Sequence, residues 1–97
     1  MRPVHLMDLD RATRVLMACV PEQRHTLANR LVTHARTADR YRQRLQVPHP
    51  QFGTGTLRSA AQGYPHTSVP NHCDTAYLSC LTIIIQTLLA DQTHQSL

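Results

Sequence analysis

Residues 27–45 read LANRLVTHARTADRYRQRL, and their pattern indicates how the chain folds. Apolar, small and aromatic side chains recur in this stretch at alternating steps of four and three, which is the 3.5-residue period of a packed helical seam. The residues of this seam are Leu27, Leu31, His34, Ala38, Tyr41 and Leu45. Because the seam is long enough for coiled-coil-like packing, the stretch predicts a long helix with one apolar side.

The opposite side of the same helix is basic. Its residues are Arg30, Arg36, Arg40 and Arg44, called the arginine row below. Only Asp39 is close in sequence to neutralise them. A row of guanidinium groups suits a phosphate backbone, where each neutralised phosphate releases counterions. We therefore expect the arginine row to bind double-stranded DNA without reading its bases; the alternatives are a solvated helix face or ion pairs with acidic groups of a neighbouring subunit.

Length and charge agree with a small binding module. The chain has 97 residues and a formal net charge of +4, with arginine as its only strongly basic residue type. The length allows one domain, residues 1–97. The arginines concentrate in residues 1–44, which predicts a basic half that meets a polyanion or an acidic partner. Four aromatic residues and no tryptophan make a base-stacking platform improbable.

Prolines, glycines and capping residues divide the chain into helices. Asp8 is suited to the start of the first helix, and Pro21 to the first turn of the second. Gly63 ends a short third helix, and Asp74 is the N-cap of the last. The predicted helices span 8–19, 21–45, 56–62 and 74–90, followed by a polar tail at 91–97. The fold class is all-α, a small domain with a long helical hairpin of the first two helices and an apolar last helix.

The last predicted helix carries more aliphatic residues than one face of a small monomer needs. Some of them are therefore expected to contact another copy of the chain, together with the seam of the second helix. The predicted interface comprises Leu27, Leu31, Ala38, Tyr41, Leu45, Leu81, Ile85 and Leu88. The alternative is that the last helix is the central helix of the subunit core.

Catalysis, metal binding and membrane insertion find little support. His66, His72, Cys73 and Cys80 lie within fifteen residues but lack the short Cys-x-x-Cys or His-x-x-x-His spacings of zinc sites, so a metal or thiol enzyme is a distant alternative. We expect no catalytic residue, metal or cofactor, since known catalytic motifs are absent. No apolar stretch approaches about 18 residues. Three cysteines without a secretory pattern favour the reducing cytoplasm.

A small dimeric transcriptional regulator or antitoxin-like module is the main competing function. The junction at Val20 and Pro21 could form the turn of a helix-turn-helix. The second helix, however, is long and seam-like for a recognition helix.

Three stretches together resemble a known family. They are MRPVHLMDLDRATRVLMACVP (1–21), ADRYRQRLQVPHPQFGTGTLRSAA (38–61) and DTAYLSCLTIIIQTLL (74–89). Their order is similar to that in short alphaproteobacterial proteins encoded beside the large terminase at the start of the gene-transfer-agent structural cluster, regarded as its small terminase subunit. The most specific part is the pattern at 39–44 and 49–57, and the linker at 64–73 fits least.

The resemblance implies a DNA-packaging component without its own catalysis. Such proteins assemble as rings, bind DNA, and recruit and regulate the large terminase, which holds the ATPase and nuclease. Many phage versions carry an N-terminal helix-turn-helix, and this chain shows no clear one. That departure suits packaging of host DNA with little sequence preference. The C-terminal region is the expected docking site for the large terminase.

Overall fold

The computed structural model describes residues 1–68 and 73–95, with side chains up to residue 92. In this part of the chain the α-helices are α1 (Leu6–Met17), α2 (Arg24–Leu45), α3 (Leu57–Ala61) and α4 (Thr75–Gln95). A 3₁₀ turn, Pro21–Gln23, joins α1 to α2. The described residues form no strand, so the predicted all-α class is confirmed.

α1 begins and ends two residues earlier than predicted. Asp8 does not precede the helix but lies in its first turn, where its carboxylate accepts a hydrogen bond of 2.8 Å from the backbone N–H of His5. An acid in the first turn that reaches back to the cap residue is the acidic half of a capping box. An acidic residue is common both at the N-cap and in the first turn of a helix. Asp8 alone therefore does not fix where α1 begins, and the predicted start was two residues too late.

The ends of the other helices follow local chemistry. α2 starts at Arg24 rather than at 21, because Pro21 opens a 3₁₀ turn instead of the α-helix. Asp74 caps α4 as predicted, its Oδ1 accepting a hydrogen bond of 2.9 Å from the N–H of Ala76. α4 then runs to Gln95, so most of the predicted polar tail is helical, and residues 96–97 lie outside the described part.

α4 is the central helix of the chain. It packs on both α1 and α2, and the short α3 packs on the same two helices, whereas α1 and α2 contact each other less. The expected long hairpin of the first two helices is therefore not the main packing unit. Tyr77, Cys80 and Ile84 form the buried side of α4, in agreement with the alternative that the last helix is the central helix of the core.

The buried side of α2 is rotated from the predicted seam. Ala28, Val32 and Ala35 are buried beside Leu31, while Leu45 at the end of the seam is 56% exposed. A straight helix repeats every 3.6 residues, so a 3.5-residue seam drifts around its surface over six turns. Small alanine side chains on the buried side let neighbouring helices approach closely.

The loop between α2 and α3 turns back on itself. His49 and Gly53 exchange backbone hydrogen bonds of 2.8 and 3.1 Å, and both Gly53 and Gly55 have positive φ angles. The loop leads into α3, whose N-cap Thr56 accepts a hydrogen bond of 3.0 Å from the N–H of Ser59. The glycines thus serve the turn and place α3 against the core.

Within the described residues, no helix combines the length and apolarity needed to cross a bilayer.

Candidate nucleic-acid interface

Three members of the arginine row are exposed on α2. Arg30, Arg40 and Arg44 lie at the surface, and none has a carboxylate partner among the described residues. Arg40 and Arg44 are one helical turn apart, so their guanidinium groups project from neighbouring positions on the same side. The structure therefore leaves an uncompensated basic strip where the sequence placed one.

Arg36, the fourth member, has a different role. It is partly buried, and its Nη1 lies 2.5 Å from Oδ1 of Asp91 on α4. The ion pair joins α2 to α4 within one subunit, so Arg36 is not an exposed phosphate ligand and its predicted role in DNA binding is corrected. The sequence missed this pair because Asp91 was assigned to a polar tail.

Asp39 does not neutralise the row. Asp39 is buried. Its Oδ2 accepts a hydrogen bond of 3.1 Å from Gln43 Nε2, and the same oxygen lies 3.6 Å from the amino nitrogen of Met1. The carboxylate is therefore engaged on the core side of α2. Its neighbour in sequence, Arg40, keeps its positive charge at the surface.

An aromatic cluster lies beside the basic strip. Phe52 is stacked between two imidazole rings, with centroid distances of 3.9 Å to His34 and 4.6 Å to His49, and Tyr41 meets His49 edge-on at 4.8 Å. His49 Nδ1 accepts hydrogen bonds from the backbone N–H groups of Gln51 and Phe52, at 3.0 and 3.1 Å. The cluster fixes the loop on α2, and no periodic signal in the sequence reveals it.

Because of His34 in this cluster, we expect the protein to lose stability in acid. Burial, followed by the nearby charges of Arg30 and His49, lowers the pKa of His34 below its ordinary 6.5. Below pH 6.5 the unfolded chain then binds more protons at this residue than the folded chain, so its contribution to stability falls as the pH falls. His34→Phe keeps an aromatic ring on Phe52 and removes the titration. Urea unfolding at pH 7.5 and 5.5 should show a smaller acid loss in this variant; an equal loss would contradict the assignment.

The predicted interface residues divide into three groups. Leu27, Leu31 and Ala38 are buried inside the subunit, so they are not available to contact another copy in this fold. Their apolar character is explained by the subunit core. Three are partly buried, namely Tyr41, Leu81 and Leu88. Leu45 and Ile85 are exposed and remain candidates for a contact between copies.

α4 adds apolar surface that the interface prediction did not include. Leu78, Ile85 and Leu89 are all exposed. They follow one another at steps of seven and four residues, which places all three on one side of the helix. The sequence signal was present, because the helix is apolar around most of its circumference. Periodicity could not show which side meets the core.

The predicted alternatives to a nucleic-acid interface were a metal or thiol enzyme and a helix-turn-helix. His66 and Cys73 are exposed, Cys80 is buried with its thiol pKa raised by that burial, and His72 lies outside the described part. No group of three or more potential metal ligands comes together among the described residues. The turn before α2 leads into a 22-residue helix whose buried side belongs to the core.

The fold and the candidate interface define a small all-helical protein with a basic strip on its longest helix. Residues 2–88 match the model of a domain family of unknown function, DUF7742, and the chain belongs to that family. Comparison with curated proteins finds no match, and neither does comparison with solved structures.

Proposed function

We propose that this chain is a small-terminase-like DNA-packaging adaptor. It binds double-stranded DNA with little sequence preference, assembles with copies of itself in the cytoplasm, and recruits and regulates a large terminase that holds the ATPase and nuclease. It contributes no catalytic group, metal or cofactor of its own. The resemblance to the small terminase family suggests the role. The observation that carries it is that Arg30, Arg40 and Arg44 are exposed on one helix and have no carboxylate partner among the described residues.

The geometry of the strip favours the phosphate backbone over the bases. Four residues advance about 6 Å along a helix, close to the advance of about 7 Å over two base pairs of B-DNA. Guanidinium groups bind phosphate oxygens in a bidentate manner. A row on the side of a helix can therefore follow a strand without inserting into a groove, which gives affinity without sequence information.

Self-assembly would multiply this weak contact. The exposed side of α4, with Leu78, Ile85 and Leu89, offers apolar area for copies to pack against one another. Linking several weakly binding subunits raises the total affinity, because the second contact is made at high effective concentration. A ring or similar assembly would thus hold DNA through many arginines.

The salt dependence of DNA binding tests the proposal. We expect Arg40→Ala/Arg44→Ala to lower affinity for random duplex DNA roughly tenfold at 50 mM salt and to reduce the slope of log K against log salt by about two per bound subunit. Fluorescence anisotropy between 50 and 200 mM salt measures both quantities.

Arg58 provides the matched control, because it is an exposed arginine that belongs to α3 and not to the arginine row. Arg58→Ala should leave affinity and salt slope unchanged. Equal losses in the control and in the row variants would reject the strip as the DNA site.

The regulator alternative predicts different measurements. A regulator would protect one defined palindrome in footprinting and would have the mass of a dimer in light scattering. Binding spread evenly over the DNA, with a mass of many subunits alone or on DNA, supports the packaging adaptor.

A further inference from the structure

A groove of about 460 Å³ runs between α1 and α4, with the start of α3 at its edge. Its apolar lining includes Leu6, Met7 and Leu81, and its basic lining includes Arg11, Arg14 and Arg58. None of the arginine row lines it. The groove is therefore a second surface, separate from the candidate DNA site.

The apolar part of the groove includes two exposed side chains. Leu6 is 83% exposed and Met7 is 62% exposed, both in the first turn of α1. Adjoining exposed apolar side chains with charged residues at their rim are a feature of protein-binding surfaces. The opposite wall comes from Tyr77 and Leu81 of α4.

The basic part of the groove is incompletely neutralised. Arg11 Nε is buried and has no hydrogen-bond partner among the described residues. The guanidinium of Arg58 has no carboxylate partner in the same part of the chain. Asp10, the acid that lines the groove, lies 3.2 Å from Arg14 Nε and accepts a 2.8 Å hydrogen bond from the Tyr77 hydroxyl.

We propose that this groove binds an amphipathic helix of a partner protein, with apolar anchors facing Leu6, Met7 and Leu81 and acidic residues facing Arg11 and Arg58. Helices that dock in grooves present anchors at steps of three, four and seven residues. Acidic flanks supply the carboxylates that the two arginines lack. This inference does not depend on the proposed DNA binding, because it uses other residues.

Charge argues against the other two occupants. Two copies that met symmetrically through this groove would bring like-charged arginines face to face. Nucleic acid would offer phosphates to the arginines but no apolar group to cover Leu6 and Met7. An acidic amphipathic helix matches both halves of the surface.

A designed 18-residue helical peptide, labelled with fluorescein, tests the inference on the full chain. It carries leucines at the anchor steps and glutamates on both flanks, and a control peptide carries lysines in place of the glutamates. We expect the acidic peptide to bind with a dissociation constant of tens of micromolar and the lysine peptide to bind at least tenfold more weakly.

Paired variants locate the binding site. Leu6→Ser and Arg58→Glu should each weaken binding of the acidic peptide about tenfold. Leu45→Ser and Arg44→Glu change exposed residues outside the groove and should alter this binding less than twofold. All four positions are exposed, so the variants keep the fold, and circular dichroism checks this.

Four outcomes would overturn the proposal. The first is that the acidic peptide does not bind at 200 µM, and the second is that the groove variants and their controls lose peptide binding equally. The third is that Leu6→Ser lowers the mass of an oligomer, and the fourth is that Leu6→Ser lowers the affinity for DNA. The third would assign the groove to a second copy and the fourth to nucleic acid. Loss of peptide binding with DNA binding intact separates this surface from the strip on α2.

Discussion

Gly55→Ala is expected to destabilise the protein by about 2–5 kcal/mol, because two independent costs fall on one methyl group. Gly55 has a φ of 98°, a backbone conformation that alanine adopts only under strain. An added Cβ would lie 2.8 Å from the Cα and Cβ atoms of Asp39 and 3.1 Å from its backbone nitrogen. These atoms belong to the middle of α2, so the overlap cannot be relieved by turning a side chain.

The loss would spread beyond the loop. The Gly55 carbonyl accepts a hydrogen bond of 3.0 Å from the N–H of Arg2, and the residue itself precedes the cap of α3. Moving the loop away from Asp39 would therefore disturb the N-terminal segment and α3 together. A domain of this size has a total stability of about 5–15 kcal/mol, so a large part of it depends on this approach.

Gly63→Ala is the matched control. Apart from its chain neighbours, no atom of the described residues lies within 4 Å of the position that its Cβ would take. Urea unfolding followed by circular dichroism should show a change within about 0.5 kcal/mol for this variant. Similar stability of the Gly55 and Gly63 variants would mean that the loop moves easily and that the close approach to α2 is unimportant.

The fold class could be predicted from the sequence because each helix carries its own local signal. Thr56 and Asp74 precede helices and accept hydrogen bonds from them, and Pro21 stops α1 from running into α2. Such signals act over four or five residues, which is within reach of pattern analysis. They say little about how the helices pack: α1 and α2 contact each other less than either contacts α3 or α4, which no local signal predicts.

The candidate site was predictable only where it depends on one helix. Arg40 and Arg44 are exposed because they lie opposite the buried side of α2, which helical spacing predicts. The pairing of Arg36 with Asp91 joins residues 55 positions apart, and the stacking of His34 on Phe52 depends on an irregular loop. Neither leaves a periodic trace in the sequence.

The second large effect is expected at Asp8. This carboxylate is buried, and each of its oxygens accepts a hydrogen bond from a different helix start, Oδ2 from the N–H of His5 at 2.8 Å and Oδ1 from the N–H of Arg58 at 2.9 Å. One side chain therefore satisfies the ends of α1 and α3, which lie 50 residues apart in the sequence. Negative charge at a helix N-terminus is also favoured by the helix dipole.

Asp8→Ala is expected to cost about 2–4 kcal/mol, because it leaves two backbone N–H groups without acceptors in a partly buried place. Asp8→Asn should cost less, since its single amide oxygen can still accept from one of them. Hydrogen exchange should accelerate at the amides of His5 and Arg58 in the alanine variant, and urea unfolding gives the free energy of unfolding.

Asp74→Ala is the control, because Asp74 caps only its own helix, whereas Asp8 accepts hydrogen bonds at the starts of two helices. Asp74 is exposed, and among the described residues its carboxylate accepts one hydrogen bond, from the N–H of Ala76 within its own helix, so Asp74→Ala should cost about 1 kcal/mol. If Asp8→Ala costs no more than Asp74→Ala, the carboxylate does not join α1 to α3 in solution. If Asp8→Ala costs two to four times as much, Asp8 in the first turn of α1 holds the start of α3 in place. It then also positions Arg58 at the edge of the α1–α4 groove.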